Sequence, residues 1–164
     1  MLEFVPLFPL LAVAGVSWQL ISADFSEHRL PNKYTVTMIA ITTASLSGYA
    51  IATNEYSRLS QSLIAMALTF GIGWLLAKYA DLGMGDVKLL VSLNGWLAWS
   101  DPWLVSLSLA VGLVTANIFA LAVWLKRKDP KEHIALGPFL LMGFYVIAIT
   151  PGWQIFTAAV SSLA

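Results

Sequence analysis

The chain contains no cysteine, which excludes disulfides, thiolate metal sites and cysteine nucleophiles together. Its two histidines, His28 and His133, each stand beside charged residues and offer no metal-ligand spacing. No metal centre and no cofactor is therefore expected. Charge is scarce as well: charged residues make up 11% of the 164, and the formal net charge is zero. Without a basic field there is nothing to hold a nucleic acid. Apolar residues are abundant instead, at 59% of the chain with a mean hydropathy of +0.77. Such a composition belongs to integral membrane proteins and not to soluble domains.

Uncharged runs recur along the chain. Those at 4–23, 34–53, 59–77 and 103–125 are 19 to 23 residues long, close to the roughly 20 residues that a helix needs to cross a bilayer. The first lacks a positive n-region and is longer than a signal-peptide core, so a retained helix is expected. The second is rich in Thr and Ser, whose hydroxyls can bond back to their own helix or across to another. The run at 89–100 is too short to cross. A start near Gly85 lets 85–100 almost suffice with little tilt or local thinning. Asp101-Pro102 turns the chain into the fifth span, and a sixth is expected over about 134–156, with a break or end near Pro151. The expected fold is thus a single all-α domain of about six transmembrane helices, with no internal repeat.

The loops at 24–33, 78–88 and 126–133 hold eight Lys and Arg residues, against only Arg58 on the opposite side. By the positive-inside rule these loops are cytoplasmic and both termini lie outside. Trp96, Trp99 and Trp103 then fall near the far end of the fourth and fifth spans, where they read as interfacial anchors.

One acid stands out. Gly83-Met84-Gly85-Asp86 places a carboxylate at the head of the short apolar run, and acids near membrane depth are usually functional or paired. The plain alternative is that Asp86 only N-caps the following helix. The flanking glycines free the backbone and allow another chain to approach closely. Asp24, at the end of the first span, emerges at the same leaflet, so the two acids can meet across a helix interface. In a poorly solvated site paired carboxylates cannot both ionise easily. The charged one can take a proton from water, and the protonated one can polarise a peptide carbonyl. Lys88 either snorkels to the head groups or tunes Asp86. Glu27, Asp81, Asp129 and Glu132 read as solvated loop charges, while Glu3, Glu55 and Asp101 face the other side.

Asp24 followed by Leu30-Pro31-Asn32 resembles the first aspartate motif of bacterial type IV prepilin peptidases. Gly83-Met84-Gly85-Asp86-Val87-Lys88 resembles their Gly-x-Gly-Asp motif, and Leu136-Gly137-Pro138-Phe139 their Gly-Pro-Phe segment. The three occur in order over roughly residues 15–145. The resemblance implies a membrane aspartic endopeptidase of the bacterial inner membrane, with Asp24 and Asp86 as the catalytic pair. Gly83, Gly85, Lys88, Pro31, Asn32, Gly137 and Pro138 would support them. It implies a prepilin or pseudopilin precursor as substrate, cut at the cytoplasmic face ahead of a hydrophobic helix, and membrane lipid and a pilus or secretion machinery as partners. Longer family members carry an added cysteine-bearing region and also N-methylate their product, so methyl transfer is not expected of this short form. Three alternatives remain beside this reading: a small proton-coupled transporter, a non-enzymatic membrane subunit, and a presenilin-type peptidase. The last would place its other aspartate inside a span after a Tyr, which Ala23-Asp24 does not match.

Overall fold

The computed structural model of the chain describes residues 2–27, 30–79, 82–127 and 136–161. A 3-10 turn over Leu2–Leu7 leads into α1 (Phe8–Glu27), and α2 (Asn32–Thr53), α3 (Tyr56–Tyr79), α4 (Met84–Ser100), α5 (Pro102–Arg127) and α6 (Gly137–Ser161) follow. No strand occurs among the described residues. By length and composition Val5–Asp24, Asn32–Thr53, Tyr56–Tyr79 and Pro102–Ala122 can cross a membrane, and Gly137–Ile149 is a shorter apolar helix. The expectations for His28, Arg29, Asp81, Asp129, Glu132, His133 and the start of the sixth run at Ile134 lie outside the described residues.

The short fourth helix is the centre of the bundle. Every residue from Val91 to Trp99 is buried, and α4 packs against α2, α3, α5 and α6. A helix walled by protein does not have to match the lipid thickness, which is why seventeen residues serve here. Ser92, Asn94 Nδ2 and the Gly95 carbonyl find partners on neighbouring helices. Ser92 and Thr42 share a hydroxyl hydrogen bond of 2.8 Å, and Asn94 Nδ2 donates to Thr69 Oγ1 at 3.0 Å. Ser62 Oγ donates to the Gly95 carbonyl at 2.6 Å. The hydroxyls of α2 behave in both expected ways, since Thr37 and Thr53 bond back to Lys33 O and Tyr49 O while Thr42 reaches across.

Burial of α4 corrects the reading of two tryptophans. Trp96 and Trp99 are not interfacial anchors but core residues, 1% and 2% exposed. Trp96 packs edge-on against Phe144 at 5.7 Å and donates its indole N–H to Pro6 O at 2.6 Å. Trp99 meets Tyr49 edge-on at 5.8 Å. Of the three, only Trp103 is exposed as an anchor should be.

The break expected near Pro151 is also absent, because α6 runs through it to Ser161. Proline in a membrane helix is tolerated where neighbouring groups satisfy the freed carbonyl. The other end of α4 follows expectation: Asp101 Oδ1 accepts the Trp103 N–H at 2.9 Å, and Pro102 opens α5. α5 and α6 approach backbone to backbone, since a Cβ on Gly143 would meet Ser108 O at 2.5 Å and Gly112 N at 2.7 Å.

Candidate active site

The three sequence motifs converge at one end of the bundle, where α1 ends and α2, α4 and α6 begin. Asp24 lies in the last turn of α1 and is 4% exposed. The C-terminal end of its own helix is an unfavourable place for an anion, whereas the N-terminal end of another helix is favourable. The latter is supplied by α6: Gly137 N–H donates to Asp24 Oδ2 at 2.9 Å. Phe139 and Leu140 bond back to Leu136 O, so the Gly137 amide is one of the donors without a partner inside its helix. Pro138 follows in the first turn, where a missing N–H costs nothing. A Cβ on Gly137 would stand 2.8 Å from Asp24 Oδ2, so the absence of a side chain keeps the carboxylate in place.

Pro31 opens α2 with φ −63° and ψ 126°, and its carbonyl accepts the N–H groups of Tyr34 and Thr35. Asn32 begins the helix, and its Oδ1 accepts a 2.7 Å bond from Lys88 Nζ. Lys88 therefore ties the second motif to the first, a role that the choice between snorkelling and tuning Asp86 did not include.

Asp86 does not N-cap α4. Gly83 occupies that position without a side-chain capping bond, and Asp86 is the third residue of the helix. Its Oδ1 is buried and accepts no hydrogen bond. A Cβ on Gly83 would fall 2.7 Å from Asp86 Oδ2, and one on Gly85 would fall 2.7 Å from Leu30 Cβ and 3.1 Å from Leu30 O. No glycine among the described residues has a positive φ. The glycines of this motif are thus needed for space, not for backbone freedom: Gly83 makes room for the carboxylate, and Gly85 for the neighbouring chain.

Leu30, which the sequence reading quoted in the first motif without giving it a supporting role, packs into the site. It is buried, touches the face of Gly85, and its Cδ2 lies 3.5 Å from where a Gly137 Cβ would stand. An apolar residue just ahead of Pro31 in a polar loop was the available signal. Through these contacts Asp24 and Asp86 come close enough for the charge of one to act on the other. Among the described residues no group of three His, Cys, Asp or Glu side chains gathers.

Fold and site together define an all-helical membrane protein with two aspartates brought near each other at one end of the bundle. The chain belongs to the type IV leader peptidase family, which it matches over residues 10–161. It is 30% identical over 129 residues to a prepilin leader peptidase/N-methyltransferase of Pectobacterium carotovorum subsp. carotovorum, covering 73% of this chain and 43% of that one. A protein of the same name from Burkholderia pseudomallei (strain 1026b) is 36% identical over 70 residues, 42% of this chain and 22% of that one. Its namesake in Escherichia coli (strain K12) is 24% identical over 123 residues, 73% and 53% of the two chains. The chain thus spans about half the length, or less, of these curated relatives. No solved structure matches it.

Proposed function

We propose that this protein is an aspartic endopeptidase that removes the short basic leader of type IV prepilin-like or pseudopilin precursors at the cytoplasmic face of the bacterial inner membrane. The observation that carries the reading is the approach of Asp24 and Asp86 with unlike surroundings. Asp24 accepts the Gly137 N–H at the positive end of α6, which suits the carboxylate that stays charged. Asp86 keeps a buried Oδ1 without a donor, which suits the one that carries the proton. Asp24 then takes a proton from a water as its oxygen attacks the scissile carbonyl carbon, while Asp86 gives its proton to the carbonyl oxygen. Collapse of the resulting gem-diol breaks the C–N bond. The amine leaves with the proton held by Asp24, and a diol hydroxyl returns one to Asp86. Nothing in this scheme calls for a metal or a covalent intermediate. The names of the relatives support the substrate class, and the proposal extends to the peptidase half of those names.

The reading is tested by incubating the purified protein with a membrane-embedded prepilin and locating the cut by mass. One cut is expected, after a glycine that ends the leader and directly before the hydrophobic helix. A substrate left intact overturns the assignment.

Sidedness rests on the distribution of basic residues, and the absence of native cysteine makes it simple to test. Single cysteines replacing Glu55 or Asp101 are expected to react with an impermeant thiol reagent applied to the outer face of the membrane. Those replacing Phe25 or Lys128 are expected to stay unlabelled. Labelling of position 128 from outside would move the site to the wrong face.

A further inference from the structure

We propose that the open-sided groove between α3 and α5 seats the hydrophobic helix of the substrate that follows the cut; this rests on the peptidase reading above. α3 and α5 barely touch each other, and the gap between them is floored by α4. The resulting cavity has a volume of about 610 Å³. Leu82 and Leu136 line it at one end, next to Gly83 and Gly137 of the site, and Pro102 lines it toward the other. On α3 its lining runs from Gln61 to Leu76, a rise of about 22 Å at 1.5 Å per residue. That length is a large part of a bilayer's apolar core and corresponds to a helix, not to a compact ligand.

Two features distinguish a helix from lipid tails as the occupant. The first is the chemistry of the walls. Ala65 and Thr69 from α3 and Ser106 from α5 line the groove, and small and hydroxyl-bearing residues of this kind form interfaces between membrane helices. The second is Asn94 on the floor. It is 1% exposed, its Nδ2 is engaged by Thr69, and its Oδ1 accepts no hydrogen bond. An orphaned buried acceptor is costly in apolar surroundings, and an acyl chain has no donor to offer it. A side-chain donor on an entering helix does. Asn94 stands eight residues beyond Asp86 on α4, about 12 Å along the helix axis. A substrate helix lying alongside α4 with its leader junction at the aspartates brings a residue some two turns past the cut to this acceptor.

The test uses the full-length protein in membranes, carrying Asp86→Asn to hold the substrate uncut. Asp24→Asn serves as a second trap should the first variant fail to insert. One cysteine is added at a time, either in the groove (Ala65→Cys or Ser106→Cys) or on the outer surface (Trp18→Cys or Ile118→Cys). The prepilin carries a single cysteine about two turns after its junction, and a short thiol cross-linker joins neighbours. Groove positions are expected to give roughly tenfold or more product than outer ones, since a seated helix holds its thiol at high effective concentration. Absence of product at both groove positions, or as much product at Trp18→Cys or Ile118→Cys, overturns the assignment. Wild-type cleavage of the same prepilin is measured in parallel. If cleavage occurs and the groove fails to cross-link, only the groove is overturned; if no cleavage occurs, the peptidase reading and the groove are overturned together.

Discussion

Asparagine in place of Asp24, or of Asp86, is expected to lower prepilin cleavage by about 10³-fold or more, the scale of losing a general acid or base from a site that works as one unit. The double variant should be no worse than either single one, because removing one half of a pair already disables the other. The protein should remain folded and inserted. An Asn at position 24 keeps a side-chain oxygen for the Gly137 amide, and an Asn at position 86 is a neutral side chain of the same size in place of the carboxyl that carries the proton, whose Oδ1 has no partner to lose. Thermal unfolding in detergent, measured beside cleavage, separates this outcome from a structural one: a lost activity with an unchanged or higher midpoint is the expected pattern. Glu27→Gln, Asp81→Asn and Glu132→Gln should keep most activity. Full activity in either primary variant would sink the pair, and would favour a subunit whose acids have no chemical duty.

The second large effect belongs to a residue with no functional group. Gly85→Val is expected to reduce cleavage by about 100-fold, since an atom displaced by an ångström near the chemistry has that consequence. The reason is contact with Leu30: a Cβ at Gly85 already falls 2.7 Å from Leu30 Cβ and 3.1 Å from its carbonyl oxygen, so the backbone must shift. That shift separates the first motif from the second and strains the Lys88–Asn32 bond. Overpacking of this sort costs about 1–3 kcal/mol, which a bundle of this size can absorb while staying folded. Cleavage and unfolding are again measured together. Wild-type rates in Gly85→Val would show that the aspartates do not depend on this packing.

Much of the architecture is legible in the sequence because lipid imposes simple lengths. The runs at 34–53, 59–77 and 103–125 became helices α2, α3 and α5 for that reason. The reading faltered where protein replaces lipid. Trp96 and Trp99 follow the rule for interfacial residues only if their helix faces the bilayer, and α4 does not. Pro151 breaks a helix in water more readily than in a packed membrane bundle. At the site, spacing indicated that Asp24 and Asp86 share a leaflet. No linear pattern revealed that Asp24 bonds the first amide of α6, or that Lys88 reaches Asn32, since both partners lie far away in the chain. The acid at position 86 kept a cap as its plain alternative, because cap and third helical residue differ by three positions and the difference is a matter of backbone angles.

The enclosure of α4 bears on how the chain enters the membrane at all. Its seventeen residues include Asp86, Lys88, Ser92 and Asn94, so it is a poor segment to partition into lipid by itself. Its most extensive interface is with α3, the helix made just before it. There Asn94 finds Thr69, and Gly95 takes the hydroxyl of Ser62. Insertion of α3 and α4 as one hairpin covers these groups at the moment they leave water. α2, made earlier still, takes Ser92 through Thr42, and the last faces of α4 are closed only once α5 and α6 have been synthesised and come to rest on it. The site therefore depends on order of assembly: Asp24 is translated early, yet its amide partner at Gly137 arrives with the last helix, and a chain interrupted during biogenesis before that point holds both aspartates without the group that positions one of them.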